Sequence, residues 1–136
     1  MNKLPVNLDL GMLVIRLMVG VIGFYHGSQK LFSMFGGPGL KGFSGMLEGM
    51  NVPLPQVSAA LAGGAEFFGG ILIALGLVSR IGAFFLAFTM AVAVGMVHWK
   101  NGFSGQGGFE YPLLILVICL GIMIGGPGKY AITQKV

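Results

Sequence analysis

Three ionisable residues, Arg16, His26 and Glu66, interrupt apolar stretches that are long enough to cross a bilayer. A charge near the bilayer centre costs at least ~2.5–3.5 kcal/mol on insertion scales, so such residues are expected to face the protein interior and to pair. Histidine titrates near neutral pH, and a buried carboxylate can exchange protons with it. The sequence therefore predicts proton-transfer chemistry that is centred on His26 and Glu66.

Helical geometry gives these residues neighbours. Arg16, His26 and Lys30 fall within about 80° on a helical wheel, so they share one face of the first apolar segment. At 1.5 Å per residue, the depths of Arg16 and Glu66 differ by roughly 7–8 Å, which an arginine side chain can span. We expect an Arg16–Glu66 pair, and two interpretations stay open: a structural pair that fixes helix register, or a pair that holds Glu66 ionised for catalysis.

A second group of polar residues is predicted at one end of the helices. His98 ends the third apolar segment and Glu110 begins the fourth, so both are expected to face Lys30 across the mouth of a helical bundle. Trp99 and Tyr111, beside them, are expected to anchor at the membrane interface. The sequence thus predicts a polar pocket that opens toward this end.

Thiol and metal chemistry are weaker interpretations. Cys119 is the only cysteine, so a thiol–disulfide relay lacks its second sulfur, and a small buried residue in an apolar run is the expected role. A metal site is an alternative for which the sequence offers no local spacing motif, and no metal is predicted. The ligands in that alternative would be His26, Glu66, His98 and Glu110.

The elements that must position these residues are four apolar segments, at about residues 10–32, 57–77, 81–98 and 111–126. The first two have the ~20 residues that a spanning helix needs, and continuous apolar runs favour helices over the alternating strands of a barrel. Apolar residues make up 55% of the chain and charged residues 9%, too few to cover a soluble surface. We predict an all-α transmembrane four-helix bundle that forms one domain over residues 1–136.

The connections and charges predict an orientation. With four passes, the two long glycine-rich connections lie on one side and both termini lie on the other. An excess of one positive charge on the terminal side favours termini in the cytoplasm, whereas no basic run indicates nucleic-acid binding. The terminal side carries Lys3, Arg80, Lys129 and Lys135, and the loop side carries Lys30, Lys41 and Lys100.

Several short motifs, in order along nearly the whole chain, resemble the DoxX family. They are Arg16-Leu17, His26-Gly27-x-x-Lys30-Leu31-Phe32, Glu66-x-x-Gly69-Gly70, Gly76-Leu77-x-x-Arg80, His98-x-x-Asn101-Gly102-Phe103, Gly108-x-Glu110-Tyr111-Pro112 and Gly126-Pro127-Gly128. The resemblance implies a four-helix inner-membrane protein with a fold similar to the vitamin K epoxide reductase bundle. That enzyme works through paired cysteines, which this sequence lacks, so its mechanism does not carry over.

The family takes its name from a subunit associated with an archaeal thiosulfate:quinone oxidoreductase, and its bacterial members are linked to redox or oxidative-stress functions. We therefore expect an inner-membrane redox-associated protein, or a subunit of a quinone-linked oxidoreductase. The expected catalytic residues are His26, Glu66 and His98. The expected ligand-binding residues are Arg16, Lys30, Arg80, Asn101 and Glu110.

The sequence contains no haem or flavin motif, so a redox centre would come from a ligand, a metal or a partner. The cofactor expected from the resemblance is a quinone. Besides the lipid bilayer, the expected partners are a soluble redox protein, another membrane subunit or a second copy of the chain. Two alternatives remain open: a pathway for a small solute or ion, which buried charges also mark, and a non-enzymatic scaffold that recruits a soluble partner.

Overall fold

A computed structural model describes residues 6–134, and this part of the chain is helical, with no β-strand. The predicted all-α class is therefore confirmed for these residues. The α-helices are α1 (Leu8–Phe32), α2 (Gly39–Gly49), α3 (Pro55–Leu75), α4 (Ser79–Val92) and α5 (Glu110–Gly125). A 3₁₀ turn follows α1 at Met34–Gly36, and α4 continues through a π-helical turn (Ala93–His98) into a 3₁₀ turn (Trp99–Asn101).

Local sequence explains where α3 begins and ends. It starts at Pro55, whose fixed φ and missing N–H are tolerated in the first turn of a helix. It ends before Gly76, which has a left-handed conformation with φ of 66°. The Gly76 and Leu77 amides then bond to the Ile73 and Leu72 carbonyls, the pattern of a Schellman motif. The helix therefore lies two residues earlier than the predicted range of 57–77.

The most extensive helix–helix contact is between α1 and α3, and glycine permits the close approach. Gly20, Gly23 and Gly27 lie on the α1 face that meets the α3 backbone. A Cβ atom at Gly23 would lie 2.8 Å from the Glu66 carbonyl oxygen, closer than real Cβ atoms approach, and 3.0 Å from the Gly70 Cα. This contact brings the C-terminal half of α1 next to the middle of α3.

One apolar core joins α1, α3, α4 and α5. Each helix contributes buried side chains, among them Val19, Ile73, Leu86 and Ile115. Cys119 lies fully buried in this core, so the prediction of a small buried residue is confirmed. The outer faces are also apolar, because each of the four helices exposes large apolar side chains. Examples are Val14, Phe68, Phe88 and Ile124.

Three helical stretches within residues 6–134 are long and apolar enough to cross a membrane: Leu8–Phe32, Pro55–Leu75 and Ser79–Asn101. The fourth apolar helix, α5, has 16 residues. At 1.5 Å per residue it is about 24 Å long, whereas a hydrocarbon core is about 30 Å thick.

The helix α2 was expected to be part of a glycine-rich connection. Its glycines lower intrinsic helix propensity, so the sequence gives little sign of a helix there. The structure shows that α2 packs against α1 and α3 and buries Leu47. Tertiary packing stabilises this helix, and a propensity scale does not include such packing.

Candidate functional site

The centre of the site is an ion pair between Lys30 and Glu66. The Lys30 Nζ, in the last turn of α1, donates a hydrogen bond to Glu66 Oε1 in the middle of α3. Glu66 is buried, and its second oxygen, Oε2, has no hydrogen-bond partner among residues 6–134. The Lys30 ammonium also lies 5.0 Å from the centre of the Phe43 ring in α2, so α2 covers the pair from outside.

Arg16 is fully buried but does not reach Glu66, so the predicted Arg16–Glu66 pair is wrong. Its Nη1 donates to the Pro127 carbonyl at 2.5 Å and its Nη2 donates to the Tyr130 carbonyl at 2.7 Å. These carbonyls follow the end of α5, where the non-helical backbone leaves acceptors free. Arg16 therefore stabilises the C-terminal segment, and Lys30 takes the place beside Glu66.

A cavity of about 260 Å³ lies beside the ion pair, between α1, α3, α4 and α5. Its polar wall consists of His26, Lys30, Glu66, His98 and Tyr111. The apolar wall includes Ile22, Leu86, Met90 and Ile115. All three predicted catalytic residues, as well as Lys30, thus line a single cavity.

His98 reaches this cavity from the last position of the π-helical turn. Its Nδ1 lies 2.8 Å from the Gly107 carbonyl oxygen, and Asn101 Nδ2 donates to the same oxygen at 2.9 Å. π-helical turns widen a helix by one residue and occur frequently at functional sites. Here the turn and the loop of residues 102–109 together hold the imidazole.

The remaining predicted ligand-binding residues do not line the cavity. Asn101 contributes through the Gly107 hydrogen bond, whereas Glu110 is exposed and accepts a bond from Ser104 Oγ at 3.3 Å. Arg80 is exposed at the start of α4, roughly 27 Å along the helix from His98 at 1.5 Å per residue. With Arg16 it belongs to the opposite end of the molecule.

Tyr111 is the cavity residue whose place sequence reasoning missed. Its expected role as an anchor at the membrane interface stays a prediction, since the residue is 44% exposed, but it also lines the cavity, and its ring lies edge-on to His26 with centroids 5.9 Å apart. A signal was present in the sequence, because Tyr111 and the buried Ile115 have i, i+4 spacing. That spacing puts both residues on the face of α5 that meets the core.

A second groove, of about 330 Å³, lies between α3 and α4 and differs from this cavity in its lining. Its walls contain no ionisable side chain, and its rim residues Leu61, Phe68 and Phe85 are exposed. The cavity beside the ion pair is therefore the candidate functional site.

The alternative metal site is not assembled. Within the part of the chain that the structure describes, no three His, Cys, Asp or Glu residues come together as a ligand group. Glu110, which was to complete the set, lies outside the cavity wall and faces Ser104.

Long apolar helices with apolar outer faces, and a buried ion pair between them, define a helical membrane protein. The profile of the DoxX family matches residues 11–99, and the chain belongs to this family. "Putative oxidoreductase CatD" of Bacillus subtilis (strain 168) is 33% identical over 122 residues, which cover 90% of this chain and 83% of that protein. "Uncharacterized membrane protein Rv3486" of Mycobacterium tuberculosis (strain ATCC 25618 / H37Rv) is 28% identical over 133 residues, covering 89% and 78%. No solved structure matches the chain.

Proposed function

We propose that this protein is a redox-associated component of the inner membrane whose cavity binds the ring of a quinone and exchanges protons with it. The observation that carries the proposal is the buried Glu66 carboxylate, whose Oε2 lacks a partner beside a cavity that His26 and His98 also line. An unsatisfied buried acceptor costs free energy unless a ligand or water satisfies it. The word "oxidoreductase" in the name of the Bacillus subtilis relative supports a redox role.

The size and lining of the cavity favour a small ring. Small-molecule clefts commonly enclose ~300–1,000 Å³ and combine apolar walls with a few polar groups. A volume of about 260 Å³ therefore suits a ring, with an isoprenoid tail left to extend into lipid. Leu86, Met90 and Ile115 would contact the ring faces, and the polar wall would meet the ring oxygens.

The proposed chemistry is proton transfer to and from the ring. A quinone becomes a quinol when it gains two electrons and two protons. The electrons would come from a reductant carried by a partner protein, and His26, Glu66 and His98 would relay the protons. Lys30 compensates the charge of Glu66 through its hydrogen bond to Oε1.

In the same proposal α5 forms a fourth pass, and the four apolar helices form a transmembrane bundle. Its 16 residues fall short of the bilayer thickness, and local thinning of the bilayer accommodates such a mismatch at modest cost. Both termini then lie on the cytoplasmic side, and the cavity opens toward the outer side. The excess of one positive charge supports this orientation, since the terminal side carries four basic residues (Lys3, Arg80, Lys129 and Lys135) and the loop side three (Lys30, Lys41 and Lys100).

Equilibrium binding to the purified protein in lipid nanodiscs tests the proposal, with short-chain ubiquinone and menaquinone analogues as probes. We expect saturable binding that weakens at least tenfold, about 1.4 kcal/mol, in Glu66→Gln and His26→Ala. Glu48→Gln removes an exposed carboxylate of α2 and should leave binding unchanged. Absence of saturable binding to both probes would refute a quinone site, and pH-dependent liposome flux lost in Glu66→Gln would then favour an ion pathway.

A further inference from the structure

Of the places where neighbouring apolar helices meet, the seam between α1 and α5 is the most loosely packed. The α1–α3, α3–α4 and α4–α5 pairs contact each other extensively, whereas α1 and α5 make few contacts. Glycine closes the first two: a Cβ at Gly23 would meet the α3 backbone, and a Cβ at Gly69 would lie 3.0 Å from the Gly82 carbonyl oxygen. Buried core side chains, among them Leu86 and Ile115, fill the third. A ligand in the cavity therefore meets the least packing toward lipid between α1 and α5.

Two contacts mark the ends of this seam. At the end where α1 begins and α5 ends, Met12 lies beside Gly125, where an added Cβ would be 3.7 Å from the Met12 Cε. At the other end, the His26 and Tyr111 rings meet edge-on. Gly121 lies between them, one helical turn from Gly125 on the same face of α5, and has open space where a Cβ would lie. We call the space between these two contacts the α1–α5 furrow.

The cavity adjoins this furrow. Ile22 and Ile115 line the cavity, and each lies one helical turn from a residue of the ring contact, on the side toward the furrow. The cavity therefore extends past the ring contact to the level at which the furrow begins. Ile22 is only half-buried, and so is Ile118, the next residue of α5 along the furrow. The side chains between the cavity and the outer surface are thus incompletely covered at this boundary.

The furrow lies at the depth of lipid acyl chains. The 25 residues of α1 span about 37 Å at 1.5 Å per residue, so a centred α1 exceeds a hydrocarbon core of about 30 Å by only about 4 Å at each end. His26 lies about 9 Å before Phe32, the end of α1, and the furrow lies deeper still. Its borders are apolar, since Ile15 of α1 and Leu114 of α5 are exposed there.

We propose that the cavity opens sideways into the bilayer through the α1–α5 furrow, and that its ligand is an amphiphile whose ring lies in the cavity while its alkyl or isoprenoid tail lies beside Gly121. The inference rests on the proposed function, because it assigns the path of the tail of that same ligand. Lipid tails are as apolar as the furrow, so the tail is held by close packing in the space that α1 and α5 leave open.

Filling the furrow tests this path. The probes are a ubiquinone analogue with a decyl tail and the same ring without a tail, with concentrations expressed per lipid because the tailed ring partitions into the nanodisc. In Gly121→Leu we expect the tailed probe to bind about tenfold more weakly and the tail-less probe to bind as before. Gly64→Leu is the matched control, since Gly64 also has open space at its Cβ but borders the groove between α3 and α4. Unchanged binding of the tailed probe in Gly121→Leu, or its loss in Gly64→Leu instead, would overturn the proposal.

Photo-cross-linking of the wild-type protein decides the path without any variant, even if Gly121→Leu does not fold. A tailed analogue with a diazirine in the tail is irradiated in the nanodisc, and mass spectrometry locates the labelled peptides. We expect labels on α1 and α5 along the furrow, and labels confined to α3 and α4 would overturn the proposal. Binding of neither probe by the wild type would contradict the proposed function and this path with it. Ring binding with the tail labelling another seam would contradict the path alone.

Discussion

Lys30 compensates a buried carboxylate, and the two partners are unequal in burial. The Lys30 side chain is 26% exposed, whereas the Glu66 side chain is 2% exposed. Removing one partner of a buried pair leaves an uncompensated charge, which costs about 3–5 kcal/mol. Because the Lys30 side chain is partly exposed, we expect the loss of stability on its removal to fall in the lower part of that range.

The corresponding prediction concerns Lys30→Met. The free energy of unfolding in detergent micelles should fall by about 3 kcal/mol, because Glu66 loses its cation. The double variant Lys30→Met/Glu66→Gln should recover part of this loss, since no charge stays buried without a partner. Lys41→Met, on the exposed face of α2, is the matched control and should change stability by less than about 0.5 kcal/mol. Equal losses in the single and double variants would show that the pair is not coupled.

For single residues, the sequence indicates which side chains are buried but not which residues they contact. Insertion cost explains why Arg16 and Glu66 face inward. Their depths allow both Arg16 and Lys30 to approach Glu66, and helix periodicity does not separate these two possibilities. The backbone carbonyls of Pro127 and Tyr130 decide the outcome. Their position depends on how the chain folds back after α5, which no local pattern encodes.

Among the helices, the α1–α3 contact decides whether Lys30 can reach Glu66. Gly23 meets the α3 backbone, whereas Gly121 on α5 has open space where a Cβ would lie. The same substitution should therefore have opposite effects at these two positions. In Gly23→Ala, overpacking of about 1–3 kcal/mol should outweigh the gain in helix propensity of about 1 kcal/mol.

Thermal unfolding of both variants in one detergent measures this difference. We expect a lower midpoint for Gly23→Ala and an unchanged or higher midpoint for Gly121→Ala, which keeps only the propensity gain. The Gly23→Ala variant should also bind quinone analogues more weakly, because separating α1 from α3 displaces Lys30 and His26. A Gly23→Ala protein as stable as the wild type would mean that the helices do not meet as closely as the structure has them.

The segment after α5 docks on the α3–α4 turn through several backbone contacts. The Thr133 amide donates to the Gly76 carbonyl at 2.9 Å, and the Val78 amide donates to Thr133 Oγ1 at 2.7 Å. Asp9 accepts from the Lys129 amide at 2.9 Å. With the two bonds from Arg16, these contacts tie residues 126–134 to both α1 and α3.

We predict that Arg16→Met loosens this segment selectively. Global stability is a poor readout, because removing a buried charge also removes its desolvation cost. Loss of charged hydrogen bonds worth about 1.5–3 kcal/mol should speed amide exchange roughly ten- to hundredfold at Lys129, Ile132 and Thr133. Lys129→Met, which changes an exposed side chain of the same segment, should have no such effect. Unchanged exchange rates in Arg16→Met would assign the docking to the backbone contacts alone.

Across the molecule, buried and exposed positions are both apolar, and this pattern distinguishes a membrane protein from a soluble one. Composition predicts the apolar surface, and the continuous apolar runs predict the helical class. Composition does not predict the number of passes, because α5 is short and the charge difference between the two sides is small. Two of the lysines counted on the terminal side, Lys3 and Lys135, lie outside the described residues. The orientation therefore stays a prediction.

Cysteine labelling in intact cells checks the orientation. In a Cys119→Ala background, Gln106→Cys places a thiol in the loop before α5, and Lys129→Cys places one after it; both native side chains are exposed. A membrane-impermeant maleimide should label the first variant directly and the second only after the membrane is opened. The reverse pattern would invert the proposed topology, and labelling of both in intact cells would contradict a membrane pass by α5.

The π-helical turn at Ala93–His98 has a consequence for how this site can change in evolution. Because each turn of this kind accommodates one residue more than an α-helix, it behaves as an inherited single-residue insertion. Deleting one residue between Val92 and Trp99 would let this segment close into an ordinary α-helical turn, and His98 would lose the position that the wide turn gives it. Relatives that retain this histidine should therefore also retain the length of the segment. In relatives that have lost the chemistry, we expect an alignment to show a one-residue gap in this segment as well as a substitution of His98.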